Sequence, residues 1–124
     1  MSRNANRKEI ENTTYCQDAI RFVRGAGVRA SYDADALADL MAIRNAVELA
    51  ERKAVADLRA DGWSWGEIAD RVGMTRQACQ QRWGKDLKKT FWKGVPSWLR
   101  SSMERTFSDT KWAEAKERFA ARYM

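Results

Sequence analysis

The sequence predicts an all-α chain of five or six helices, and three observations lead there. Apolar residues recur at three- and four-residue steps through most of its length. Helix-capping residues stand where those periodic stretches begin and end. The chain holds one proline, Pro96, and no run of sustained period-two alternation bounded by turn residues. A length of 124 residues suits one compact domain with its own core, without a disulfide or metal staple.

Residues 1–30 read as an N-terminal arm and short helix. The first dozen residues are polar, and a helix is expected from Thr14 to Arg24, with Tyr15, Ala19, Phe22 and Val23 on one side. Gly25-Ala26-Gly27 is expected to end it. Residues 31–84 read as a long helix followed by two short ones. Asp33 suits the N-cap of the long helix, and Asp35 places negative charge near its positive end. Leu37, Leu40, Met41, Val47, Ala50, Ala54 and Leu58 trace one apolar stripe, and Gly62 suits a left-handed stop. At ~1.5 Å per residue this helix is roughly 40 Å long. Its first half is therefore expected to pack on the terminal helices or on a partner chain.

The two short helices carry the clearest boundary signals. Ser64 and Glu67 have the spacing of a capping box, and Trp63 and Ile68 that of a hydrophobic staple across it. The helix they open runs to Val72, and Gly73 allows a sharp turn. Thr75 is the next N-cap, for a helix through Trp83 with Gly84 as its stop. Ala69 lets the helices cross closely, while Ile68, Val72 and Met74 supply the core between them. Residues 85–124 form a basic, aromatic helical extension. There a helix is expected from Ser97 to about Thr106, and Ser108 caps a last one edged by Trp112, Ala115, Phe119 and Tyr123.

Several function classes lose support from composition. No apolar run approaches the ~20 residues that cross a bilayer, and no apolar stretch follows the basic start. Cys16 and Cys79 are far apart and are expected to be small buried hydrophobes in a reducing compartment. These readings point to a cytoplasmic protein with no membrane partner. The absence of histidine removes the commonest general base and metal ligand. Two separated cysteines cannot complete a zinc site, and no glycine-rich phosphate loop is present. The carboxylate pairs Asp33/Asp35 and Glu114/Glu117 read as solvated helix surface. No enzymatic activity, cofactor or metal is expected.

The net charge of +6 is unevenly placed. Residues 31–61 carry four basic and seven acidic groups, whereas residues 71–100 carry eight basic groups against Asp86 alone. A polyanion would be drawn to the second of these segments; a solvated basic face is the plainer alternative.

Within that region, WGEIADRVGMTRQACQQRWG resembles the helix-turn-helix of region 4 of bacterial sigma factors. It is equally similar to small helix-turn-helix regulators of actinobacteria and their phages. The resemblance covers about residues 46 to 84. Cys79 stands where an aliphatic residue is commoner, and Arg82 where an apolar one is. The resemblance implies a trihelical helix-turn-helix core with one long helix and additional N- and C-terminal helices. It also implies sequence-specific binding of double-stranded DNA, as in a bacterial or phage transcriptional regulator.

On that reading Arg76, Gln77, Gln80 and Gln81 face base edges, since arginine forks onto guanine and glutamine onto adenine. Thr75, Arg82, Lys85, Lys88 and Lys89 would contact phosphates. Trp63 and Trp65 read as structural, and Trp98 and Trp112 as core. Trp92 stands evenly between core and a stacking platform for unpaired bases. Two alternatives remain beside DNA regulation. One is a protein-interaction module of phage or bacterial origin, binding RNA polymerase or another host protein. The other is a DNA-processing accessory of packaging or recombination. Homodimer formation through the long helix is open.

Overall fold

The computed structural model describes residues 3–85, 91–93 and 95–123. Among them the elements are all helices: α1 (Arg3–Ala30), α2 (Ala34–Ala60), α3 (Trp65–Val72), α4 (Arg76–Trp83), α5 (Ser97–Thr106) and α6 (Asp109–Tyr123). The chain is all-α. It separates into two compact units, one of Met1–Arg44 with Glu114–Met124, the other of Asn45–Ala113.

In the first unit, α1 is longer than the sequence suggests at both ends. The polar arm is helical from Arg3, and the helix passes straight through Gly25 and Gly27. Neither glycine has a positive φ. A glycine inside a helix costs only about 0.5–1 kcal/mol relative to alanine, so it weakens the helix without ending it. The end comes at Ser31, whose N–H and hydroxyl both donate to the Gly27 carbonyl, at 3.1 and 3.0 Å. Asp33 then caps α2, its Oδ1 accepting from the Asp35 N–H at 2.9 Å. Tyr15 meets Phe119 edge-on with ring centres 6.1 Å apart. No described side chain of this unit is buried.

The second unit holds the core. α2 stops at Gly62, with φ +99°, where the Trp63 N–H donates to the Leu58 carbonyl and the Gly62 N–H to that of Arg59. These paired bonds satisfy carbonyls that the helix end would leave open. Ser64 then accepts from the Glu67 N–H at 3.1 Å while Glu67 accepts from the Ser64 N–H at 3.2 Å, closing the expected box. Gly73, at φ +71°, turns the chain after α3. Thr75 Oγ1 accepts from the Ala78 N–H at 3.1 Å and opens α4. Val55, Ile68, Ala69 and Cys79 are buried together, with Leu58, Trp63, Trp65, Met74 and Trp83 packed around them.

Some expected packing is corrected. The buried line of α2 in this unit runs through Val55 with half-buried Glu48, Arg52 and Leu58, whereas Ala54 and Val47 are exposed. Charged residues sit on the inner line because Arg52 and Glu48 pair there, side-chain atoms 3.3 Å apart. Val72, expected in the core, is half exposed at the end of α3. Gly84 closes α4 as expected, at φ −84°, and a Cβ there would lie 2.4 Å from the Gln80 carbonyl oxygen. Close approach, not handedness, calls for glycine. Cys16 is exposed, unlike Cys79.

α5 contributes buried Met103. Trp98 is 65% exposed rather than core, because it lies one position off the line of Leu99 and Met103. Ser108 caps α6, accepting from the Lys111 N–H at 3.2 Å. Trp112 is half-buried and donates its indole N–H to Asp57 Oδ2 at 2.7 Å.

Candidate nucleic-acid interface

Successive residues of a helix are 100° apart, so eight residues settle which arc of α4 faces in. Cys79 is fully buried and Ala78 half-buried, and they mark the inner arc. Arg76, Gln77, Gln80 and Gln81 occupy the opposite arc and are all exposed. Four polar side chains with forked donors or paired donor and acceptor groups are thereby presented side by side. Ala69, 2% exposed, is the small residue of α3 in the same core as Cys79.

Thr75 is exposed at the head of α4. Its oxygen is engaged by the cap, which leaves its hydroxyl hydrogen to donate outward. Arg82 is exposed, with its guanidinium turned back towards α2. Its Nη2 is 3.4 Å from Glu51 Oε1 and 3.7 Å from Glu48 Oε2, and its guanidinium carbon is 5.5 Å from the centre of the Trp83 ring. Arg82 thus links α4 to α2 while half of its side chain stays open to solvent. Lys85 is exposed just beyond the helix. Lys88 and Lys89, expected at phosphates, lie outside the described residues.

The residue that sequence reasoning missed is Arg52. Its guanidinium donates to the main-chain oxygens of Arg82 at 2.6 Å and of Lys85 at 2.9 Å. A charged donor thus satisfies carbonyls at the C-terminal end of α4, the end that attracts cations. The Glu48–Arg52 spacing of four was visible in the sequence; the target of Arg52 was not. Two further cations brace the entry to α3. Arg59 stacks 5.0 Å from the centre of Trp65 and donates to the Trp63 carbonyl at 3.0 Å, and Arg71 lies 5.4 Å from the centre of Trp63. Both tryptophans are packed against the core. Trp92 is half-buried, with Arg100 5.1 Å from its ring centre and Phe91 edge-on to it.

One shifted carboxyl lies in this unit away from α4. Asp109 takes a hydrogen bond from Lys53 and feels its charge, and both hold its carboxyl below the usual carboxylate range. Among the described residues no group of His, Cys, Asp and Glu is placed to hold a metal ion. No described helix is long and apolar enough to cross a membrane. No protein-family model matches the chain, and neither a curated protein nor a solved structure matches it.

Proposed function

We propose that the second unit binds duplex DNA through a helix-turn-helix, with α3 as its first helix and α4 as its reading helix. The observation that carries this reading is the outer arc of α4, where Arg76, Gln77, Gln80 and Gln81 are exposed together opposite a buried Cys79. A helix of this width enters the major groove, and these side-chain types match the donor and acceptor patterns of guanine and adenine edges. Thr75 and Lys85 flank the arc and supply phosphate contacts that set register. The basic segment around α4 draws the polyanion. Arg82 serves as a brace in this proposal, because its guanidinium already meets two carboxylates. The role is that of a bacterial or phage transcriptional regulator acting by occupancy of a site, with no bond made or broken.

The decisive experiment is selection of binding sites from random duplexes with the full chain, followed by sequencing. A consensus lost in the Arg76→Ala, Gln80→Ala double variant supports the proposal. Absence of enrichment removes it.

A second reading rests on Trp98, a large aromatic side chain left 65% exposed on α5. An exposed tryptophan is a common anchor of protein contacts. Under this reading the unit is an interaction module for a host protein such as RNA polymerase. Trp98→Ala would then abolish complex formation while Arg76→Ala would leave it intact.

A further inference from the structure

We infer that the first unit is a self-association surface, filled by the same unit of a second copy of this chain. The inference stands apart from the nucleic-acid reading, since it concerns other residues.

A helix as long as α1 draws most of its stability from burying an apolar face against something else. Here much of the apolar surface of the unit, on α1, on α2 and between them, stays open. Tyr15, Phe22 and Tyr32 are 62%, 81% and 89% exposed, and Leu37 and Met41 are each 50% exposed. The terminal part of α6 reaches Tyr15 through Phe119, and Tyr15 stays more than half exposed. Buried aromatic rings cover ~150–250 Å² each, so the open parts of these three supply roughly half of the ~800 Å² that each partner of a standard interface contributes, and Leu37 and Met41 add to it. Scattered single apolar residues would be ordinary, but this grouping on one unit is not.

Shape and charge identify the occupant. Between α1 and α2 lies a groove of about 370 Å³ with Gly25, Ala26 and Ala36 along it and Phe22 at its lip. A Cβ built on Gly25 meets no atom within 4 Å, so the groove has room for an incoming side chain. Its α1 edge carries Arg21 and Arg29, and its α2 edge carries Asp39. Among the described residues Arg29 and Asp39 enter no ion pair. The same asymmetry holds along the helices. Residues 1–30 carry six basic and three acidic groups, while residues 31–44 carry three acidic groups and Arg44. A surface with one basic and one acidic edge is complementary to itself after a half-turn. Arg29 of each copy then faces Asp39 of the other, as a two-fold interface requires. A polyanion fits such a surface poorly, because the acidic edge repels it and the apolar rings gain nothing from phosphate.

The test uses the full chain without DNA, by sedimentation equilibrium. The expected mass is twice that of one chain, and Phe22→Asp raises the dissociation constant roughly tenfold or more. R29D and D39R chains, each with helical circular dichroism like the wild type, are each expected to be monomeric because like charges now face each other. An equimolar mixture of the two regains the doubled mass, which a purely intrachain role of these residues would not produce. A monomeric wild type, charge variants that remain dimeric, or a mixture that stays monomeric would each overturn the proposal.

Discussion

Arg52 of α2 and Arg82 of α4 are joined not through their charges but through the backbone: the Arg52 guanidinium donates to the Arg82 carbonyl at 2.6 Å. One side chain thus closes the end of the helix on which the candidate base contacts sit, and orients it against α2. Replacing Arg52 by methionine keeps most of the stem and removes the donors. The expected loss is about 1–3 kcal/mol of unfolding free energy, because two carbonyls lose a charged partner. Urea denaturation followed by circular dichroism measures it.

The outer arc of α4 is expected to behave oppositely. Arg76→Ala and Gln80→Ala remove exposed side chains that the core does not use, so the melting temperature is expected to hold. Each is expected to cost about 1–3 kcal/mol of discrimination at the selected site. Fluorescence anisotropy against matched and mismatched duplexes separates this from general weakening.

Lys85→Ala is expected to weaken all duplexes alike. If Lys85 meets a phosphate, the slope of log affinity against log salt falls by about one. A salt titration of wild type and variant gives the slope directly.

Ile68 is 2% exposed at the centre of the α2–α3–α4 core. Ile68→Ala is expected to cost about 2–5 kcal/mol, since the site loses both transfer energy and packing. Ser64→Ala in the cap beside it is expected to cost about 1 kcal/mol. Thermal denaturation of the two variants orders them.

The Lys53–Asp109 pair sets the direction of a pH effect. The folded carboxyl is held below its ordinary value by the lysine hydrogen bond and charge. Its contribution is therefore complete above the unfolded value and disappears as pH falls through the folded one. Asp109 is almost fully exposed, so the effect is small. Asp109→Asn is expected to lower stability slightly at neutral pH, and its difference from wild type is expected to shrink to nothing as urea denaturation is repeated at falling pH below about pH 5.

The sequence was most legible where structure is decided locally. Asp33, Ser64 with Glu67, Thr75 and Ser108 each cap the helix expected of them, because a cap involves residues two or three apart. Gly62 and Gly73 lie after helix ends with positive φ for the same reason. Long-range packing was less legible. An apolar stripe reads Ala54 as core, yet Glu48 and Arg52 sit on the inner line, because pairing lets charge occupy a half-buried face. Trp98 and Cys16 were expected inside on residue type alone, and both are exposed. On α4, the exposed arc of Arg76, Gln77, Gln80 and Gln81 follows from periodicity around Cys79, whereas the pairing of Arg82 with α2 depends on carboxylates thirty-odd positions away.

Cys79 lies beneath that arc with none of its surface exposed, while Cys16 is open to solvent. The two thiols therefore form a built-in clock. A thiol-specific reagent modifies Cys16 at the rate of a free side chain, but reaches Cys79 only when α4 lifts from its bed. The lag between the two reactions measures how often that helix detaches, without adding any label to the chain.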